Sequence, residues 1–220
     1  MQIQLLSYER RTLESLEQMY HLDRELVVGL ALSLNSLKDL FVQAIENANG
    51  EFRAGRVVII GLVNHAHHLL NGGLEALHSG NGTVWSACVR GLMETFGACV
   101  LISEKPGTVP NFLENIKPGK LRNAAERAKP GLGKDIKRLN EIVHPVSGAI
   151  YAGFKIADDE TKTAKVVFGI QQLEQDEGTE GFIVLANMAD LLVERLTDLF
   201  SKPDVLAFGK KIMVTVSANA

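Results

Sequence analysis

The stretch Val84 to Ser103, VWSACVRGLMETFGACVLIS, is apolar nearly all the way round, and a helix of that kind has no face to offer to water. It has to be enclosed. The rest of the chain must therefore supply amphipathic helices that surround it, and a helical bundle with this segment at its centre is the expected outcome. Thr83 stands where an N-cap residue is wanted. Arg90 and Glu94 interrupt the segment on one face, with the Arg on the N-terminal side. That is the weaker order for a bridge within a helix, which favours a partner from another helix, because a buried charge left unpaired is strongly destabilising.

The enclosing helices can be read from spacing. Leu13, Leu16, Met19 and Tyr20, then Val27, Leu30, Leu34, Leu37, Leu40 and Phe41, recur at helical steps and predict one long helix or two between Ser7 and Asn47. A second helix begins near Gly55 with a stripe of Ile59, Leu62, Val63, Ala66, Leu70 and Leu74; its other face carries Asn64, His68, Asn71, Glu75 and His78. After the central helix, five of the chain's six prolines fall between Pro106 and Pro145, so the segment from Glu104 to Gly133 reads as connecting material with short polar helices. A further core helix is predicted from Lys134 to Val143, with Pro145 stopping it. The period then changes to two. AlaGlyPheLysIle and AlaLysValValPheGlyIle, separated by a charged turn, read as a β-hairpin. A strong helix over Phe182 to Phe200 follows, and the alternating tail from Lys210 could add a strand to the hairpin.

These signals define a mainly α protein: an up-and-down bundle of four to five core helices with a small β-hairpin inserted before the last helix. It reads as one helical domain over 1–220, divided into an N-terminal helical segment (1–50), core helices (55–150), hairpin (151–171), last helix (178–202) and tail (203–220). The net charge of -3 gives no overall basic field for tight, sequence-independent attachment to nucleic acid, although a local basic strip is compatible with it. The start has no basic region followed by an apolar one, and no stretch reads as uncharged and apolar for long enough to span a bilayer, so the expectation is a cytoplasmic protein with no membrane association. Cys88 and Cys99, eleven residues apart on one helix and so roughly 16 Å apart, are beyond disulfide reach and read as core residues.

The chemistry-bearing residues gather in RLNEIVHPVSGAIY, Arg138 to Tyr151, which should pack against the central helix. Arg138 and His144 form an Arg-x5-His pair. An Arg can hold a phosphate through paired donors while a nearby His moves a proton at a ribose hydroxyl, which is a workable ribonuclease site. Spacing alone is a weak signal, since a chain with this many Arg and His residues should contain such a pair about once by chance; a solvated Arg138 and a His144 interacting with a helix C-terminus is the plainer reading. Arg90 and Glu94 are expected to form a desolvated polar cluster with His68, His144 or Tyr151. Of the three clustered imidazoles, His68 is expected to join that cluster, with His65 and His67 peripheral. A third constellation pairs Glu75 and His78 with Glu141 and His144, and Glu94 could add a carboxylate; that is half the recipe for a di-iron site in a four-helix bundle. No metal or other cofactor is required by the leading readings.

Taken together, VRGLMETFGACVLI with Arg90 and Glu94, and Asn140, Glu141, Ile142, Val143, His144 and Pro145 downstream, resemble the HEPN-like (higher eukaryotes and prokaryotes nucleotide-binding) helical-bundle proteins, in the uncharacterised bacterial branch near the abortive-infection proteins. The resemblance covers about Val57 to Tyr151. It implies an all-helical core that forms a homodimer, with the Arg and His motifs of two subunits facing one another as a metal-independent ribonuclease. It also implies an RNA or nucleotide ligand and an antitoxin-like protein partner. Leu139 departs from the pattern, standing where a polar residue usually follows the Arg. The alternative is a non-catalytic helical module that binds a nucleotide, RNA or protein.

Overall fold

The computed structural model describes residues 5–48, 52–108, 116–143, 154–158, 163–166 and 175–212. The N-terminal stretch is two helices, α1 (Ser7–Tyr20) and α2 (Arg24–Glu46), because His21 takes a left-handed conformation (φ 48°) and Asp23 opens α2 by accepting the Glu25 N–H at 2.7 Å. Strand β1 (Phe52–Arg53) leads into α3 (Ala54–His78), and the tight turn after α3 leads into α4 (Gly82–Glu104). The N-cap of α4 is Asn81, whose side chain accepts the Val84 N–H at 3.1 Å; Thr83, expected in that role, lies inside the first turn.

Helix α4 is the centre of the bundle, packed by α3 and, in the elements that follow, by α5 (Pro118–Ala128), α6 (Leu132–Val143) and α7 (Gln175–Phe200). Leu92, Cys99 and Ile102 on it are fully buried. Both cysteines are free and buried, and burial pushes the Cys99 thiol up to about 12. By length and composition α4, with Arg90 and Glu94 the charges in its middle, is long and apolar enough to cross a membrane, and 67% of that stretch is buried inside the bundle.

The short polar helix expected in the Glu104 to Gly133 region is α5, and what its sequence did not announce is that it lies directly on α4 with Ala124 and Ala125 fully buried. Small residues on both sides allow this approach: a Cβ at Gly97 would come within 2.2 Å of the Leu121 carbonyl oxygen. Proline signals a boundary in sequence, yet Pro118 occupies the first turn of α5, where its missing N–H costs nothing.

The hairpin is present, with β2 (Phe154–Asp158) antiparallel to β3 (Thr163–Val166) and a register shift between Ile156 and Asp158, and it precedes the long helix α7 as expected. The described part of the tail, up to Ile212, does not join it. After the short helix α8 (Pro203–Leu206), β4 (Lys211–Ile212) pairs antiparallel with β1, placing Phe52 opposite Ile212. The start of α3 explains this choice. The unsatisfied N–H groups of Ala54 and Gly55 donate to the carbonyls of Lys210 and Phe208 at 3.1 and 3.0 Å, while Val205 is fully buried beside Gly55. The tail thereby caps α3.

Candidate functional site

Helices α3 and α4 run side by side in opposite senses. A Cβ at Gly73 would lie 3.6 Å from that of Cys88, and one at Gly91 would lie 2.8 Å from Leu69. One further turn along this seam brings His65 of α3 to the level of Glu94 of α4. Burial pushes the His65 pKa down and the neighbouring His68 adds to that shift, while the Glu94 carboxylate opposes it. The neutral imidazole is favoured.

Arg90 and Glu94 bind each other. Arg90 Nε donates to Glu94 Oε1 at 3.0 Å within α4, and the two side chains keep 24% and 23% of their surface exposed. The expected desolvated cluster, with a partner from another helix, is thus replaced by a half-buried intrahelical pair at the edge of the seam. Water reaches this edge, so the charges need no second helix to compensate them. His68 is exposed, and His144 and Tyr151 lie outside the described residues.

Arg138, Asn140 and Glu141 are all on α6, though their side chains fall outside the description. The helix ends at Val143, immediately before His144 in the sequence, and it packs against α4, so the two sequence blocks singled out above are on neighbouring helices. Among its described side chains Leu132, Ile136 and Leu139 are buried, at 7%, 1% and 8% exposure. The departure at Leu139 has a packing explanation, because that position faces the core.

Glu75 and His78 do not point into a central metal site. Both are exposed against α1, where Thr12 Oγ1 donates to Glu75 Oε1 at 3.5 Å and Ser15 Oγ is within 2.9 Å of His78 Nε2. Among the described residues no group of three or more His, Cys, Asp or Glu side chains is arranged to hold a metal ion. Part of the polar face of α3 is thus the docking face for α1 rather than a solvated surface.

Among the described residues, the most buried charge is one that sequence reasoning missed. The Glu9 side chain is wholly removed from solvent and joins three helices. Its Oε1 lies 2.9 Å from His67 Nε2 and accepts from Asn71 Nδ2 at 3.2 Å, both on α3; its Oε2 accepts from Lys38 Nζ on α2 and from the Leu6 N–H at 2.8 Å. Burial pushes the Glu9 pKa up, but the hydrogen bonds from His67, Lys38 and the Leu6 N–H outweigh it and hold the carboxyl at about 2. It is His67, and not the expected His68, that joins a buried polar cluster. The available signal was Lys38 beside the Leu34 and Leu37 stripe of α2: a cation there needs an anion from another helix.

Between α1 and α2 an open groove of about 280 Å³ has an apolar floor of Leu13, Val27 and Ala31 and a rim with Arg10 and Arg24. Arg24 is held by Glu17 at 2.5 Å. The described fold and these side chains define a mainly α helical bundle with a half-buried ion pair on its central helix and a buried carboxylate anchoring its first helix. No family model, curated protein or solved structure matches the chain.

Proposed function

We propose that this chain is a HEPN-like, RNA-targeting protein of the cytoplasm, a metal-independent endoribonuclease of the toxin or defence type that works as a homodimer and is restrained by an antitoxin-like partner. The observation that supports it is the direct packing of α6, which carries Arg138 and leads into His144, on the central helix that carries Arg90 and Glu94. In this mechanism Arg138 holds the scissile phosphate by paired hydrogen bonds. The ribose 2′-oxygen attacks phosphorus as its proton passes to one His144. The bond to the 5′-oxygen breaks, and that oxygen takes a proton from a second imidazole, leaving a cyclic phosphate. One subunit supplies one His144, so the second must come from its twin across a two-fold axis.

The test compares the wild-type protein with His144→Ala on structured RNA, with and without chelator. Cleavage indifferent to chelator and reduced about 100-fold or more by the substitution is the expected result. Equal activity in the two proteins would overturn the assignment. The burial of Leu139, in the position where an active motif usually has a polar residue, favours one second reading, a module of the same fold that binds RNA or a nucleotide without cutting it.

A further inference from the structure

The chain as a whole is acidic, yet its basic residues are not spread evenly. Between Lys117 and Arg138 lie eight of its 23 Lys and Arg residues and two of its 26 Asp and Glu residues. This is the span folded into α5 and α6, which pack on each other as a helical hairpin. Lys117, Lys120, Lys129, Lys134 and Lys137 are all exposed along it. Of these, Lys117, Lys120, Lys129 and Lys137 form no ion pair among the described residues.

The two acidic residues offset only two of the eight positive charges. The Glu126 carboxylate clasps the turn of the hairpin, accepting the Gly131 N–H at 3.0 Å and the Gly133 N–H at 2.6 Å, and these two bonds hold its pKa below the usual range. Asp135 occupies the first turn of α6, where the helix dipole favours a negative charge. Gly131, with φ +105°, allows the tight reversal that puts the lysines of both helices on one hairpin. A hairpin with a surplus of positive charge, in a chain whose net charge is -3, gives an approaching polyanion a favourable landing place.

We propose that the α5–α6 hairpin is the surface that holds the RNA backbone, with the exposed Lys117, Lys120, Lys129 and Lys137 contacting its phosphates. This rests on the RNA-targeting reading and adds to it where the strand lies. The lysines supply charge without base contacts, so binding depends on salt and is indifferent to sequence.

The four lysines are replaced together by Gln in full-length His144→Ala protein, which keeps the RNA intact, and binding of a labelled single-stranded RNA is followed by fluorescence anisotropy across a salt series. Because all four side chains are exposed, the melting temperature should stay that of the parent. The expected result is roughly 10- to 100-fold weaker binding at low salt, with the slope of log affinity against log salt shallower by about 3. Unchanged affinity and slope would overturn the proposal, and cleavage by the wild-type protein in that case would leave the ribonuclease reading in place. The reverse outcome, lysine-dependent binding with no cleavage by the wild-type protein, supports the surface and removes the nuclease. Lysine-dependent binding to anionic phospholipid vesicles with none to RNA would overturn the assignment of the ligand.

Discussion

Glu9 and Glu94 are both paired carboxylates, and their surroundings give them very different weights. Glu9 has no water to fall back on, and removing it takes the carboxylate from Lys38 and His67 and leaves a cavity; Glu9→Ala should lower the unfolding free energy by roughly 3 to 5 kcal/mol in urea denaturation. Glu94→Ala, which breaks a half-exposed pair in the weaker helical order, should cost less than about 1 kcal/mol. The Glu9 shift also sets an acid limit. With its folded pKa at about 2 and an unfolded one of about 4.3, the unfolded chain binds the proton more readily between those values. Its contribution of roughly 3 kcal/mol is therefore complete above pH 4.3 and is lost as pH falls towards 2. Glu9→Gln should flatten that part of the stability profile, as read from urea midpoints across the range. Helical spacing could not mark Glu9, because its burial depends on where α1 lands on α2 and α3.

At the level of elements, close approach decides more than propensity does. In α4, Gly97 touches the Leu121 backbone, and the methyl group of Gly97→Ala would have to push α5 away; a loss of about 3 kcal/mol is expected. Gly61 in α3 is exposed with open space where a Cβ would sit, so Gly61→Ala should instead raise stability by about 0.5 to 1 kcal/mol through helix propensity. Thermal melts of the two variants give opposite signs if the packing of α5 is as described. The same contact explains why α5 read as a polar helix within connecting material rather than as part of the core. Its sequence has few large apolar residues, and it enters the core on Ala124 and Ala125 instead. The tail strand is a similar case: alternation marked it as a strand, but its partner was chosen by the open N–H groups at the start of α3.

For the molecule as a whole, α4 should show the slowest amide exchange, because it is packed by α3, α5, α6 and α7, and the two-residue β1–β4 ladder should exchange much faster. Hydrogen exchange read by mass spectrometry checks that order directly. The proposed dimer adds a second expectation, that RNA cleavage falls off on dilution below the concentration at which sedimentation shows the dimer separating. The sequence by itself determined that this chain is a helical bundle, which helix is central, and that a hairpin precedes α7, because these follow from periodicity and from the need to bury an all-apolar helix. Only the tertiary structure decided that His67 rather than His68 meets a buried carboxylate, that Arg90 and Glu94 stay within reach of water, and that β4 turns to β1. Each of those depends on which faces of distant segments meet and at what height along the helix axes, and the spacing of residues within one segment carries no information about that.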